Sequence, residues 1–319
     1  MSIQWFATSS GPWDEKYPQL DTGNSGLPSP PIPTELIGYP ENDGDPFIMK
    51  PVSHSWADVS EMILHRVRRS QNIKYHPVCD QLFQFYQSAT SIRDTNTVLA
   101  TYTKIYNHFF FGGMVKSSVV EKSADDKIKI IFGLELVSGL DRAREVGLNS
   151  GNGLALNLGL AQGEFDGKIN RVTIYILDVV TFYPVRDYHE AISQMLGTLA
   201  HEMIHAMQFM YTKYPSDGPG IMYATHGTNF QKAAQAIEQV TRDLLGGEGW
   251  IYPKIELGRN WAVLCDIRYA NFKEPTDAEI RNMGLDVEEL REIFRVHLPA
   301  RSDTIDQSDN SHDPTSSHS

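Results

Sequence analysis

The second half of the chain carries a long run of apolar residues at helical spacing. Between residues 187 and 211 the apolar positions recur three and four residues apart, at Ile192, Met195, Leu196, Leu199, Met203, Ala206 and Met210. This spacing predicts an amphipathic helix over 187–211 that packs one face on a core, with Asp187 and Glu190 as a capping-box start. The opposite side has the polar and small residues expected of a helix that lines a cleft: Gln194, Gly197, Thr198, His201, His205, Gln208 and Thr212.

A second helical pattern follows after a loop that contains proline and glycine. The residues on its apolar side are Phe230, Ala233, Ala234, Ile237 and Leu244, and Gly246-Gly247 comes directly after them. The spacing predicts a helix that continues to these glycines and ends there. Because the loop 214–220 can turn the chain back, we expect the two helices to be antiparallel.

The stretch between residues 128 and 178 alternates with a period of two instead. Three segments, 128–136, 154–161 and 171–178, place apolar residues at every second position. This pattern predicts three strands joined as an antiparallel meander. Small residues such as Gly159 alternate with the leucines of the middle segment and would allow another element to approach closely. Packed against the two helices, the strands indicate an α+β fold.

The remaining sequence predicts accessory helices and two disordered ends. Residues 1–52 hold nine of the 17 prolines and show no sustained periodicity, and the tail is mainly small and polar. Helical patterns occur at 56–69, 78–88, 97–110 and within 277–297. We expect Trp56, Trp250 and Trp261 to pack these additions on the core. The predicted division is a disordered segment 1–52, accessory helices 53–96, a core 97–247, a C-terminal accessory segment 248–299 packed on the core and a disordered tail 300–319.

Charge and hydropathy narrow the classes of function. The formal net charge is −12, so strong sequence-independent binding of DNA is not expected. The densest basic cluster, His65-Arg66-Val67-Arg68-Arg69, is either a local DNA patch or a solvated helix face.

Membrane and secretory classes are not expected either. The sequence has no run of 18–20 apolar residues that would predict a membrane span, and its first residues do not resemble a secretory signal. The two cysteines, Cys79 and Cys265, form no disulfide framework, and we expect free buried thiols. These features predict an intracellular protein, nuclear or cytoplasmic.

The segment His201-Glu202-Met203-Ile204-His205 matches H-E-x-x-H, a motif of zinc hydrolases. Two imidazoles four residues apart lie about 40° apart around a helix, so both can bind one metal ion. The intervening Glu202 is then close enough to accept a proton from a water on that ion. The competing interpretation is a pair of surface histidines on an ordinary amphipathic helix.

A zinc site of this kind needs a third protein ligand, and His226 is the leading candidate. It precedes Gly227 at the start of the second predicted helix, where its ring could reach the same ion. Glu238 is the alternative, because other zinc proteases take a glutamate from a downstream helix. It lies well inside the second helix, however, and its neighbours Gln235 and Gln239 lack the motif of that group.

These motifs together resemble the SprT-like metalloproteases, the family that includes Spartan. In that family one helix reads Leu-x-His-Glu-Met-x-His-Ala, the next opens with His-Gly-x-x-Phe, and an upstream segment reads Phe-Asn-x-x-Phe-Phe-x-Gly-x-Leu. The corresponding segments here are 199–206 (LAHEMIHA), 226–230 (HGTNF) and 106–115 (YNHFFFGGMV). The likeness spans about residues 97–247.

The resemblance implies a zinc-dependent metallopeptidase that acts on protein substrates. By this likeness His201, His205 and His226 bind Zn²⁺, and Glu202 is the catalytic base. The implied fold is zincin-like, with a small antiparallel sheet packed against a metal-binding helix pair and additional flanking helices. The four-cysteine ribbon that ends many bacterial members is missing, as are the ubiquitin-binding zinc finger and clamp-interacting peptide of Spartan.

Two other functions stay open from the sequence. A non-catalytic module could use zinc only to tie the two helices together and bind a protein partner, and a DNA-dependent protease could act on DNA-bound proteins. For the peptidase, Tyr211, Tyr214 and Tyr223 are candidates for stabilising the oxyanion. The strand 171–178, as an edge strand, could align an extended substrate through backbone hydrogen bonds.

Overall fold

A computed structural model describes eight stretches of the chain. They are residues 49–71, 94–121, 127–148, 157–182, 188–213, 226–245, 255–270 and 272–298. The predicted disordered tail 300–319, nearly all of segment 1–52 and the predicted helix 78–88 lie outside the described residues. So do Cys79, Asp187, Tyr214, Tyr223 and Trp250.

The described residues form nine helices. They are α1 (Trp56–Gln71), α2 (Thr95–Phe111), α3 (Leu140–Glu145), α4 (Val179–Phe182), α5 (Tyr188–Tyr211), α6 (Thr228–Leu245), α7 (Arg259–Ala270), α8 (Asp277–Asn282) and α9 (Val287–His297). Helices α5 and α6 confirm the two helices predicted from the apolar spacing. Helices α1 and α2 confirm those predicted at 56–69 and 97–110, and α8 and α9 occupy the region 277–297 as predicted.

Within the described stretches, four strands form one mixed sheet in the order β1-β2-β4-β3. Their bounds are Ser118–Glu121 (β1), Lys127–Val137 (β2), Gly159–Phe165 (β3) and Ile169–Leu177 (β4). The pairs β1–β2 and β3–β4 are antiparallel, whereas β2 and β4 are parallel. Together with the helices, this sheet confirms the α+β class.

The predicted antiparallel meander is wrong at its centre. The hairpin of β3 and β4 places β4 between β2 and β3 and parallel to β2, so that β3 lies at the edge of the sheet. Alternation with a period of two predicts a strand but not the direction of its neighbour, and a parallel pair needs only a long enough connection. The middle strand is also displaced from its predicted position, because β3 begins at Gly159.

Helix α5 lies in the middle of the molecule, between the sheet on one side and α1, α2 and α6 on the others. Its apolar stripe is buried as predicted, but most of the side predicted to line a cleft is buried too. A Cβ on Gly159 would lie 2.5 Å from Cγ2 of Thr198, and one on Gly163 would lie 2.7 Å from Cγ of Phe209. Strand β3 can therefore approach α5 this closely only with glycine at these positions, which confirms the expectation for Gly159.

The C-terminal end of α5 is buried, so its last carbonyl groups need partners inside the protein. The backbone N–H of Val52 donates to the carbonyl oxygen of Met210 at 3.1 Å. The side-chain amide of Asn170, on β4, donates to the carbonyl oxygen of Phe209 at 2.8 Å. The segment before α1 and the sheet thus satisfy the end of the helix.

Helices α7, α8 and α9 share a second, smaller hydrophobic cluster. Its buried members are Val263, Leu264, Ile267, Ile280, Leu290 and Phe294. Trp261 packs against both this cluster and the main core, and Trp56 packs against the main core, as predicted. Cys265 is a buried thiol. Among the described helices, none is long and apolar enough to cross a membrane.

Candidate metal centre

Three histidine side chains meet between α5 and the start of α6. Nε2 of His201 lies 3.1 Å from Nε2 of His205 and 3.1 Å from Nε2 of His226, and the last two atoms are 3.0 Å apart. The three residues are at most 1% exposed. Their nitrogen atoms are close enough to one another to hold one metal ion. The fold therefore brings together the three histidines that the sequence selects.

The donor set fits a single tetrahedral ion. Bonds of about 2.0–2.1 Å at tetrahedral angles would place three imidazole nitrogens about 3.3 Å apart, close to the observed 3.0–3.1 Å. Three neutral imidazoles arranged in this way direct their Nε2 lone pairs at one another. A cation at the common centre relieves that repulsion.

Each ring is held at its other nitrogen, Nδ1, by a hydrogen-bond acceptor. The acceptors, each 2.9 Å from Nδ1, are the carbonyl oxygen of Leu257 for His201, Oε1 of Gln208 for His205 and Oδ1 of Asp266 for His226. Because these oxygens accept hydrogen bonds, the network assigns the proton to Nδ1 of each ring. Each Nε2 then carries the lone pair that can bind a metal, which is the usual arrangement around metal-binding histidines.

The imidazoles of His201 and His205 are held in the neutral form. Burial lowers the pKa of both rings well below the ordinary value of 6.5, and neighbouring imidazoles lower it further. The hydrogen bonds at Nδ1 act in the opposite direction on each pKa without reversing the effect of burial. Since the neutral ring is the form that binds metals, both are competent ligands at neutral pH.

Asp266, on α7, holds His226 through both of its carboxylate oxygens. Oδ1 accepts from Nδ1 of the ring, and Oδ2 accepts from the backbone N–H of the same histidine at 2.8 Å. The ring and the backbone of His226 are therefore fixed by one side chain.

The segment 255–258 crosses α5 at Gly197 and thereby reaches His201. A Cβ on Gly197 would lie 2.1 Å from the carbonyl oxygen of Glu256, so the crossing requires glycine. The next residue, Leu257, directs its carbonyl oxygen to His201, one helical turn after Gly197. The small residue on this side of α5 admits a crossing backbone rather than lining an open cleft.

Glu202 lies between the two histidines of α5 and is 2% exposed. Its side chain contacts the start of β3, because a Cβ on Gly159 would lie 2.9 Å from its Cγ and 3.0 Å from its Oε1. The side chain starts from the turn of α5 that also carries His201 and His205. The close approach of β3 limits the conformations open to it.

Glu238, the alternative third ligand, lies outside the histidine group. Its Oε1 accepts from the backbone N–H of Leu257 at 2.8 Å, and its Oε2 lies 3.7 Å from Nη1 of Arg259. Burial raises the pKa of this carboxyl group, and the interactions with Leu257 and Arg259 oppose the rise. The carboxylate supports the segment that bonds to His201.

Leu257 and Asp266 are site residues that the sequence does not reveal. Both belong to the segment 248–299, interpreted from the sequence as a packing addition, and neither lies in a motif. Gln208 could have been found, since it lies on the polar side of the predicted helix three residues after His205. A metal-binding histidine commonly bonds to a carboxylate, but the sequence does not indicate which carboxylate approaches His226.

Tyr211, a candidate for stabilising the oxyanion, has a different role in the structure. Its hydroxyl donates to the carbonyl oxygen of Met114 at 3.0 Å, and burial raises the pKa of the phenol to about 12. The turn that contains Met114 belongs to the upstream motif 106–115. Asn107 closes this turn, because its side chain accepts from the N–H of Val115 at 2.8 Å and donates to the carbonyl of the same residue at 3.1 Å. The upstream motif is thus joined to the end of α5.

The basic cluster 65–69 is only partly exposed. Among its described side chains, Val67 is buried, His65 and Arg66 are partly buried and Arg68 is exposed. The guanidinium group of Arg66 lies against the end of α2, where a Cβ on Gly112 would be 2.8 Å from its Nε. Arg66 therefore contributes to packing between α1 and α2.

Comparisons with protein-family models, with curated proteins and with solved structures give no match for this chain. The chemistry of the candidate metal centre is therefore the basis for assigning a function.

Proposed function

We propose that this protein is a zinc-dependent metallopeptidase of the SprT-like type, which hydrolyses peptide bonds of protein substrates. The observation that carries the proposal is the convergence of three Nε2 atoms, 3.0–3.1 Å apart, with Glu202 in the helix turn that carries two of the histidines. Catalytic zinc sites use three protein ligands and leave the fourth position open, whereas structural sites are closed by four protein ligands. Within the described residues, the histidine group contains three side chains that could bind the ion.

His201, His205 and His226 would hold the zinc ion. Bound zinc supplies a Lewis acid that lowers the pKa of a water molecule and polarises a carbonyl group. Glu202 accepts the proton of the attacking water and then delivers it to the leaving nitrogen of the cleaved peptide. Contact with Gly159 on β3 restricts the carboxylate of Glu202, which favours one orientation for both proton transfers.

Strand β3 is the element that could align an extended substrate. It lies at the edge of the described sheet, and its first residue, Gly159, contacts Glu202. The strand expected at the edge from the sequence, 171–178, corresponds to β4 and lies between β2 and β3. An open strand edge offers backbone N–H and C=O groups that bind extended peptides of varied sequence.

A non-catalytic, zinc-stabilised interaction module is the second candidate. The burial of the three histidines, each at most 1% exposed, is the observation that favours it. Glu202 favours the peptidase instead, because a purely structural site needs no proton acceptor next to its ligands.

Hydrolysis of an unfolded protein substrate by the zinc-loaded protein, measured beside Glu202→Gln, separates the two candidates. The substitution keeps the shape of the side chain and removes its basicity. We expect the same zinc content and a fall in turnover of about 10²–10⁴-fold. Glu190→Gln, at an exposed position in the first turn of the same helix, is the matched control and should retain full activity.

The two candidates predict different outcomes in that assay. Equal hydrolysis by the wild type and by Glu202→Gln would remove the peptidase assignment. One equivalent of bound zinc without hydrolysis by either protein would support the interaction module.

A further inference from the structure

The supporting bonds of the metal centre come from two different parts of the chain. Gln208 lies on α5 three residues after His205, so that ring is held within its own helix. The other two acceptors, Leu257 and Asp266, lie 56 and 40 residues from the histidines that they hold. Two of the three rings therefore depend on a segment outside the helix pair that carries the motifs.

Asp266 occupies a position that the fold fixes firmly. It lies on α7, whose neighbouring residues Val263, Leu264 and Ile267 are anchored in the hydrophobic cluster shared with α8 and α9. Its side chain is 14% exposed, and both carboxylate oxygens bond to His226. An asparagine at this position would have only one side-chain oxygen, so it could accept a hydrogen bond from the ring or from the backbone of His226 but not from both.

Leu257 is held in turn by a second carboxylate. Its N–H donates to Oε1 of Glu238 at 2.8 Å, while its carbonyl oxygen accepts from His201 at 2.9 Å. Arg259 lies beside the other carboxylate oxygen of Glu238, at 3.7 Å. The backbone of Leu257 therefore links Glu238 on α6 to His201 on α5.

We propose that Asp266 and Glu238 are positioning residues of the metal centre. Asp266 sets the tautomer and orientation of the His226 ring directly, and Glu238 fixes Leu257, whose carbonyl oxygen orients His201. This inference rests on the metal centre of the proposed function, and it makes the segment 255–270 part of that centre. Neither carboxylate binds the ion. Loss of such a partner typically lowers metal affinity by about 10–100-fold, because the ring is no longer oriented before the metal binds.

The zinc affinity of the full chain, measured by competition with a chromophoric chelator, tests the role of Asp266. Asp266→Ala is expected to weaken binding by about 10–100-fold, and Asp266→Asn by less. Asp286→Ala is the matched control, because Asp286 caps α9 through a bond to the N–H of Glu289. This control disturbs the same C-terminal helices without contacting the histidines, so the melting temperature should fall while zinc affinity stays the same.

A second pair of variants tests Glu238. Glu238→Ala should weaken zinc binding by less than Asp266→Ala, because Glu238 acts through Leu257. Glu238→Gln keeps an acceptor oxygen for the N–H of Leu257 and should bind zinc as tightly as the wild type. A loss of affinity in Glu238→Gln equal to that in Glu238→Ala would overturn the positioning role of Glu238.

The tautomer of each histidine ring can be measured as well, and a general loss of stability does not change it. Long-range ¹H–¹⁵N spectra of the metal-free wild type should show the rings of His201, His205 and His226 with the proton on Nδ1. Asp266→Ala should change the His226 ring alone, and Asp286→Ala should change none of them. If Asp266→Ala does not fold, the zinc affinity of Asp266→Asn, which keeps one acceptor oxygen, is compared with that of Asp286→Ala instead, and an unchanged affinity in Asp266→Asn would overturn the role of Asp266.

These measurements distinguish failure of this inference from failure of the proposed function. Unchanged zinc affinity and tautomer in Asp266→Ala would overturn the role of Asp266, and so would equal losses of affinity in Asp266→Ala and Asp286→Ala. A wild type that binds no zinc would overturn the proposed function instead. The spectra of the metal-free protein would still decide whether Asp266 sets the tautomer of His226.

Discussion

Replacing Gly197 by alanine is expected to loosen the metal centre, although alanine is the better helix former. On helix propensity alone, the substitution inside α5 would stabilise the protein by about 1 kcal/mol. The added Cβ would lie 2.1 Å from the carbonyl oxygen of Glu256 and 3.0 Å from its carbonyl carbon. Ordinary contacts between such atoms are about 3.5 Å, so the segment 255–258 must move away from α5 by about 1 Å or more.

That movement reaches His201 through Leu257. The bond from Nδ1 to the carbonyl oxygen of Leu257 is 2.9 Å long, and a further ~1 Å would take it beyond hydrogen-bonding range. Overpacking costs about 1–3 kcal/mol, and the loss of a buried hydrogen bond costs about 1–3 kcal/mol more. After subtraction of the gain in helix propensity, the free energy of unfolding of the metal-free protein should fall by about 1–5 kcal/mol. Zinc affinity should fall by about 10–100-fold.

Urea denaturation of the metal-free protein and chelator competition for zinc measure the two effects. Gly227→Ala is the control, because it lies next to His226 and its added Cβ would have no atom within 4 Å. We expect that control to match the wild type in both measurements. If Gly197→Ala proved as stable as the wild type and bound zinc equally well, the crossing at Glu256 would not constrain His201.

Three further outcomes are expected. Zinc at about 1,000 times its dissociation constant should raise the free energy of unfolding by about 4 kcal/mol. Thermal scans should show this increase in the wild type and not in His226→Ala. An equal increase in both proteins would contradict the proposed zinc site. Burial raises the pKa of the Cys265 thiol to about 12. In a Cys79→Ser variant, iodoacetamide at pH 7–9 should therefore label Cys265 only after the protein unfolds. Rapid labelling of the folded protein would contradict the burial of this thiol. Asn170→Ala removes the bond to the carbonyl oxygen of Phe209 and should lower the free energy of unfolding by about 1–3 kcal/mol; an unchanged midpoint in urea would show that this bond does not stabilise the end of α5.

Local sequence predicts the histidines of the candidate site but not all of the residues that support them. His201 and His205 are four residues apart on one helix, so their convergence follows from helical geometry. His226 is predicted from its position at the start of the next helix, and its Nε2 atom lies 3.0–3.1 Å from those of His201 and His205. Asp266 approaches from 40 residues away, and no periodicity or motif marks it.

The elements that can be predicted from the sequence are those whose signal is local. The apolar spacing of α5 and α6, the alternation in β2 and β4 and the H-E-x-x-H motif all lie within short windows of the chain, where neighbouring residues dictate backbone geometry. The structure confirms these helices and strands and brings the three predicted histidines together.

Long-range packing sets the arrangement of these elements and the groups that support the candidate metal centre. The parallel pairing of β2 with β4, the position of β3 at the edge and the crossing of segment 255–258 at Gly197 are long-range choices. Strand alternation is the same for either direction of a neighbour, and a glycine in a helix does not identify the backbone that will pass over it. The bonds from Leu257 and Asp266 to the histidines depend on these choices, because both residues reach the rings only after the C-terminal segment has packed on α5 and α6.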